Sequence, residues 1–360
     1  MLKNIQTLRF VAALWVVIHH LQPPVTPFRM TVLPVSVSEL GFAGVDIFFV
    51  VSGFIMAQTT RDVHPDWRFS LQFLIRRFGR IYIGWWPLFM AYYFMMEIRP
   101  EIDLWGSLFL WPQDLMLYLL PITWTLSFEL YFYLVVAILV TWSRKHAAIV
   151  LGIVAIVIVT LNIWFYQRGL YLPENEALAK ASLLVPFYLS PLTLELIAGF
   201  LFSDWVYHRP RQCLSCWLTG TGLFLSLAYF YQASLPLPGS GMAGFFHVCE
   251  RAVLFGGFAL CLIACAVELE RRKITSWTFL QALGDASYSI YLIHILLLLT
   301  VVKVFHKMQP QLNWSASAWS LMSLILILGV SWVYFKLIER PLNNLLKHCW
   351  ETSSSRSDGH

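Results

Sequence analysis

Apolar residues in this chain fall into blocks separated by short polar breaks, with no sustained alternation of the kind a half-buried strand would show. A helix that crosses a membrane needs about 20 mostly apolar residues. Blocks of that length lie at approximately 5–22, 41–58, 79–97, 122–143, 147–166, 183–203, 214–233, 248–267, 286–306 and 317–338. The pattern therefore predicts an all-α, polytopic integral membrane protein with about ten transmembrane helices. Residues 104–120, LWGSLFLWPQDLMLYLL, are apolar but interrupted by Pro112, Gln113 and Asp114. An interfacial or re-entrant segment is expected there instead of a span. The Pro-rich stretches QPPVTPFRMTVLPV and LPLPGS read as turns in outer loops.

Charge orients the helices. Placing the N-terminus in the cytoplasm gives inside loops with Arg61, Arg68, Arg76, Arg77 and Arg80; Arg144 and Lys145; Arg209 and Arg211; Arg271, Arg272 and Lys273; and Arg340, Lys347 and Arg356. Outside loops carry only Arg29, Arg99, Arg168, Lys180, Lys303 and Lys307, diluted by Glu97, Glu101, Asp103 and Asp114. Every loop pair obeys the positive-inside rule, so both termini are expected in the cytoplasm. Composition agrees: 58% of residues are hydrophobic, 12% are charged and the mean hydropathy is +0.66, against about a quarter charged in soluble proteins. Residues 1–345 read as one membrane domain and 346–360 as a short polar cytoplasmic tail. Lys3 precedes the first block as in a signal peptide, but Arg9 and the lack of a small-residue cleavage site favour a retained first span. The six cysteines form no framework, and the Cys213-x-x-Cys216 pair lacks a second ligand pair or a thioredoxin-like context, so no metal site is expected.

Polar residues inside the blocks are the candidate chemistry, because each is costly in lipid. LRFVAALWVVIHH holds Arg9 and His20, which are eleven positions apart. At 100° per residue they fall within about 20° of each other on one helix face, roughly 16 Å apart along the axis. The plainer alternative is that Arg9 snorkels to headgroups and His20 sits at the outer interface. Asp46 in GVDIFFVVSGFIM needs a polar partner or a wet cavity, and Ser52-Gly53 in the same block reads first as a helix contact. Glu129 sits in TWTLSFELYFYL and His294 in SYSIYLIH, the latter by itself read as a hydrogen-bonded structural histidine. Arg76, Arg77 and Arg80 open the third block. Arg77 and Arg80 share a face and form a forked donor suited to phosphates, or else a lipid anchor. Glu339 and Arg340 end the last block and, being adjacent, should pair with different groups.

Taken together, these stretches resemble the acyltransferase family 3 of integral membrane proteins. The carrying motifs are Arg9 with His20, GVDIFFVVSGFIM at 44–56, Arg77-Phe78-Gly79-Arg80 followed by Ile81-Tyr82, WTLSFELYFY at 124–133, LGDASYSIYLIH at 283–294 and ERPL at 339–342. Ile83 stands where the family commonly has proline. The resemblance implies transfer of an acyl group, usually acetyl, from cytoplasmic acyl-coenzyme A to a hydroxyl of a carbohydrate or glycolipid, with no permanently bound cofactor. It looks most like the exopolysaccharide- and O-antigen-modifying members in a bacterial inner membrane. Expected partners are acyl-coenzyme A, a glycan acceptor, the bilayer and polysaccharide biosynthesis proteins, with no nucleic acid.

On that reading Arg77 and Arg80, with Arg76, hold the donor's phosphates. His20 is the first candidate for general base or transient acyl carrier, since imidazole titrates near neutral pH. Glu129 either polarises a histidine or takes the acceptor's proton. Arg9 stabilises an oxyanion or binds the pyrophosphate. Asp46, Ser52, His294, Glu339 and Arg340 are supporting residues. Because His20 lies toward the outer end while coenzyme A stays inside, the pantetheine arm is expected to enter a tunnel from the cytoplasm. The competing class is a proton-coupled transporter or flippase of a glycan precursor or small organic anion, against which no paired halves with broken helices are visible.

Overall fold

The computed structural model describes residues 2–28, 34–62, 66–168, 187–234, 249–312 and 314–346. Most of the polar tail, the 235–240 turn and the start of the 183–203 block lie outside the described residues. Within them the chain is all-helical, and no strand occurs among the described residues. The helices are α1 (Lys3–His20), α2 (Val35–Glu39), α3 (Ala43–Thr59), α4 (Trp67–Met95), α5 (Leu104–Phe109), α6 (Trp124–Trp142) and α7 (Arg144–Gln167). They continue with α8 (Leu192–Tyr207), α9 (Leu214–Ser234), α10 (Cys249–Arg271), α11 (Thr278–Asp285), α12 (Ser287–Leu312) and α13 (Ala316–Tyr334).

Each of the ten apolar blocks overlaps a helix. Seven helical stretches, containing α3, α6, α7, α9, α10, α12 and α13, are long and apolar enough to cross a membrane. Outside that set are α1, carrying Lys3, Arg9, His19 and His20, α4, carrying four arginines, and α8, described over 16 residues. α4 starts twelve residues before the expected block, so Arg76, Arg77 and Arg80 sit within a long continuous helix and not at its start.

The 104–120 segment folds back against α4 and α6. Asp103 caps α5 by accepting from the Gly106 amide, and Leu110 ends it in the left-handed region at φ 54°. The segment is tied to α4 and α6 because Trp85 donates to the Ser107 carbonyl at 2.9 Å and the Tyr118 hydroxyl meets Ser127 Oγ at 2.7 Å. Buried indole and phenol groups thus supply partners for backbone that no regular helix satisfies.

α3 is the central helix, and its neighbours reach it through glycine. A Cβ on Gly53 would stand 1.9 Å from the Leu196 carbonyl oxygen, and one on Gly199 2.0 Å from that of Val50. The α3–α8 crossing therefore brings backbone against backbone, as small residues permit between membrane helices. Gly44 similarly leaves no room for a Cβ against the Ala12 carbonyl, which pins α1 to α3. Among the described residues packing falls into four buried clusters: one spans α3, α4, α6, α7, α8 and α12 with Val16 of α1, two more take in other α1 residues, and a small one joins Leu40 and Ala43 to Ala228 and Phe255. On the outside of the bundle, Ile149, Ile153 and Ile156 of α7, Leu223 and Phe230 of α9, and Leu321 and Ile325 of α13 are exposed. An apolar outer face of this kind suits lipid, and the chain is an integral membrane protein.

Candidate active site

At the end of the bundle where α1 and α4 begin and α3 finishes, a cavity of about 660 Å3 opens between α1, α4, α11 and the last turns after α13. Its wall includes Gln6, Arg9, Arg76, Arg77, Arg80, Glu339 and Arg340. Deeper in, a second and narrower cavity of about 60 Å3 lies between α1, α3, α4, α6 and α12. Both cavities share Arg9, Arg77 and Arg80. Three guanidinium groups thus form the neck between a wide mouth and a slender interior. Arg76 and Arg340 are exposed and reach only the mouth.

The neck arginines are held in different ways. Arg77 lies over the rings of Phe73 and Tyr133, each 5.5 Å away, and donates to Thr59 Oγ1 at 2.9 Å, a stack that fixes a planar cation. Arg9, buried on α1, donates to Gln6 Oε1 at 3.0 Å. Arg9 and Arg80 face the same carboxylates, Glu129 and Glu339. Five residues of π-helix, Phe335–Glu339, follow α13. There the buried Glu339 carboxylate accepts from Ser289 Oγ, while Arg340 turns outward. The adjacent residues therefore face different surroundings, Glu339 the buried Ser289 and Arg340 the open mouth.

Glu129 stands on the wall of the inner cavity, accepting from Ser52 Oγ at 2.9 Å and from the Tyr133 hydroxyl one helical turn away. Ser52 is a hydrogen-bond donor to Glu129, and the helix contact expected of the Ser52-Gly53 pair belongs to Gly53. Tyr291 closes the far side: its hydroxyl reaches the Ile122 carbonyl and Thr125 Oγ1, both at 3.0 Å, and its ring packs on Phe48 and on His294. Beyond it His294 and His20 meet, with His294 Nε2 3.3 Å from His20 Nδ1. His20 borders neither of the two cavities. Arg9, Ser52, Arg77, Arg80 and Glu129 are together on one wall, and the two histidines lie one ring further out.

Asp46 belongs to a different cluster. It is fully buried and receives Arg251 Nε at 2.9 Å and Nη2 at 2.8 Å, a bidentate pair with Glu195 alongside and Phe42 beneath the guanidinium at 5.0 Å. Sequence reasoning found the need for a partner but not Arg251, which stands three residues into α10 where block length hid it. Glu195, Tyr133 and Tyr291 were also missed. Tyr133 was findable, being four residues after Glu129 and therefore on its face. Among the described residues no three His, Cys, Asp or Glu side chains gather as a metal site.

An exopolysaccharide production protein, ExoZ of Rhizobium meliloti (strain 1021), is 26% identical over 287 residues, covering 73% of this chain and 78% of that protein. No solved structure matches the chain. The acyltransferase domain family matches residues 2–336, which takes in every residue of the two cavities except the last turns of the mouth, from Glu339 to Leu346. With that match spanning nearly the whole helical bundle, the chain belongs to the acyltransferase 3 family and is a membrane acyltransferase.

Proposed function

We propose that this protein moves an acyl group, acetyl in the first instance, from cytoplasmic acyl-coenzyme A to a hydroxyl of an exopolysaccharide or its lipid-linked precursor, in a bacterial inner membrane. The observation that carries the reading is the neck of Arg9, Arg77 and Arg80 joining a wide mouth to a narrow interior. Nucleotide phosphates are bulky and anionic, and the pantetheine arm is slender and uncharged. The mouth suits the first and leads the second past the arginines, so that only its thioester end reaches the narrow interior. The mouth lies at the end of the bundle that the basic loops place in the cytoplasm, where coenzyme A is found.

Arg77 and Arg80 hold the phosphates, and Arg9, deepest of the three, takes the pyrophosphate side nearest the thioester. The acceptor oxygen attacks the thioester carbonyl as the His20 imidazole takes the hydroxyl proton. Collapse of the tetrahedral adduct breaks the C–S bond, and the proton passes from His20 to the departing thiolate. The Phe48–Tyr291 contact is the partition the thioester must meet to reach His20. A second assignment makes Glu129 the base, favoured by its place on the cavity wall; in that case Glu129→Gln abolishes turnover while His20→Gln does not.

The test of the donor site is equilibrium binding of coenzyme A to purified protein in detergent. Arg80→Ala removes charge-assisted hydrogen bonds worth about 1.5–3 kcal/mol, so affinity should fall about 10- to 150-fold. Unchanged affinity in Arg80→Ala and Arg77→Ala would refute the donor site.

A further inference from the structure

The two histidines are joined in a way that assigns their protons. His294 Nδ1 lies 2.6 Å from the Tyr291 carbonyl oxygen. A carbonyl only accepts, so His294 carries its proton on Nδ1 and its Nε2 is a lone pair. That lone pair faces His20 Nδ1 at 3.3 Å, and the same Nδ1 lies 2.9 Å from the Val16 carbonyl oxygen. Both neighbours of His20 Nδ1 are acceptors. The opposite tautomer of His20 would set a lone pair against two others, whereas a proton on Nδ1 satisfies both.

From this geometry we infer that His294 is the positioning residue for His20, locking it as the Nδ1–H tautomer with the Nε2 lone pair available as the base. This deepens the proposed function, since it takes His20 as the residue that removes the acceptor's proton. When Nε2 gains that proton, the resulting imidazolium keeps Nδ1–H donating to His294 Nε2 and the Val16 carbonyl. No proton need move between the histidines. His294 is itself fixed by its bond to the Tyr291 carbonyl and by burial at 0% exposure, so it can hold the orientation of the half-buried His20 ring. The arrangement has the logic of a base oriented by a third group, with a neutral ring nitrogen as the orienter.

Two conservative variants separate this role from a purely structural one. In His294→Gln the amide oxygen reaches the place of Nε2 and accepts from His20, while the bond to Tyr291 is lost. In His294→Asn the amide occupies the place of Nδ1 and keeps the Tyr291 anchor, but it does not reach His20. Positioning predicts that Gln retains kcat within about tenfold, while Asn lowers it by about 10²-fold or more, the scale of general base catalysis, with KM for acetyl-coenzyme A unchanged in both. A merely structural histidine predicts the reverse order, and that order overturns the inference.

Nitrogen-15 NMR of histidine-labelled protein reads the tautomer without any turnover. His20 should be Nδ1–H in wild type and in both variants, since the Val16 carbonyl still accepts from it, and the Nδ1 resonance should shift in His294→Asn alone, where the contact with residue 294 is lost. A protonated Nε2 on neutral His20 in the wild type would overturn the inference whatever the reaction. Full activity in His20→Gln, with the tautomer as stated, would instead overturn the reading of His20 as base.

Discussion

The pair Asp46–Arg251 is the sharpest structural liability in the bundle. Asp46 is 0% exposed, the Arg251 side chain 11%, and the closest N···O approach is 2.8 Å. With charge centres about 4 Å apart and an effective dielectric near 20, their attraction is about 4 kcal/mol. Removing Arg251 leaves the buried Asp46 carboxylate without its bidentate cation, and removing Asp46 leaves Arg251 with only the neighbouring Glu195 carboxylate in its place; each costs about 3–5 kcal/mol, whereas replacing both with apolar groups of similar shape is close to neutral. Asp46→Leu is nearly isosteric and Arg251→Met keeps an unbranched chain. Each single variant should therefore lose about 3–5 kcal/mol in equilibrium SDS unfolding from mixed micelles. The double variant should return to within about 1 kcal/mol of wild type, a coupling that additivity excludes. Singles costing under about 1 kcal/mol, or a double variant as destabilised as the sum of the two, would refute the description of the pair as a desolvated ion pair.

Three further outcomes follow from the geometry. Gly53→Ala places a Cβ 1.9 Å from the Leu196 carbonyl, where ordinary contact begins near 3.4 Å; the same unfolding assay should show a loss of about 1–3 kcal/mol, and no loss would deny the α3–α8 crossing. Arg77→Lys keeps the charge but forfeits the stack between Phe73 and Tyr133, so KM for acetyl-coenzyme A should rise about tenfold with kcat held. Unaltered KM would mean that Arg77 does not orient the donor. The exposed Cys213 thiol, beside the Cys216 thiol and the Ser215 hydroxyl, is lowered to about 7. Iodoacetamide labelling of Cys213 should therefore rise with pH through a midpoint near 7, because the thiolate is the nucleophile, and Cys216→Ala, which removes the neighbouring donor, should move that midpoint upward.

The helices were legible because lipid imposes a length on every span, and the basic loops gave an orientation to test. α1, α4 and α8 fall outside the seven clearly apolar stretches; α1 and α4 carry Arg9, His20, Arg77 and Arg80, so the residues that serve the site dilute the hydrophobic signal. Pairing was harder to read. Asp46 demanded a partner, yet nothing local points from position 46 to Arg251, more than 200 residues away in a block already accounted for. Ser52 beside Gly53 looked like packing because one helix turn serves both tasks, with Gly53 facing α8 and Ser52 facing Glu129. Helical phase placed Arg9 and His20 on one face, but it could not reveal that Tyr291 stands between the inner cavity and the histidine pair.

Acyl transfer in inverted membrane vesicles tests the central claim most directly. Radiolabelled acetyl-coenzyme A is supplied at the exposed cytoplasmic face, and label in endogenous polysaccharide is compared among wild type, His20→Ala and Arg80→Ala at matched expression. Label in the glycan fraction that disappears with His20→Ala and requires higher donor concentration with Arg80→Ala is the predicted result. Glycan label undiminished in His20→Ala, or no transfer from either acetyl- or succinyl-coenzyme A in wild type, would contradict it.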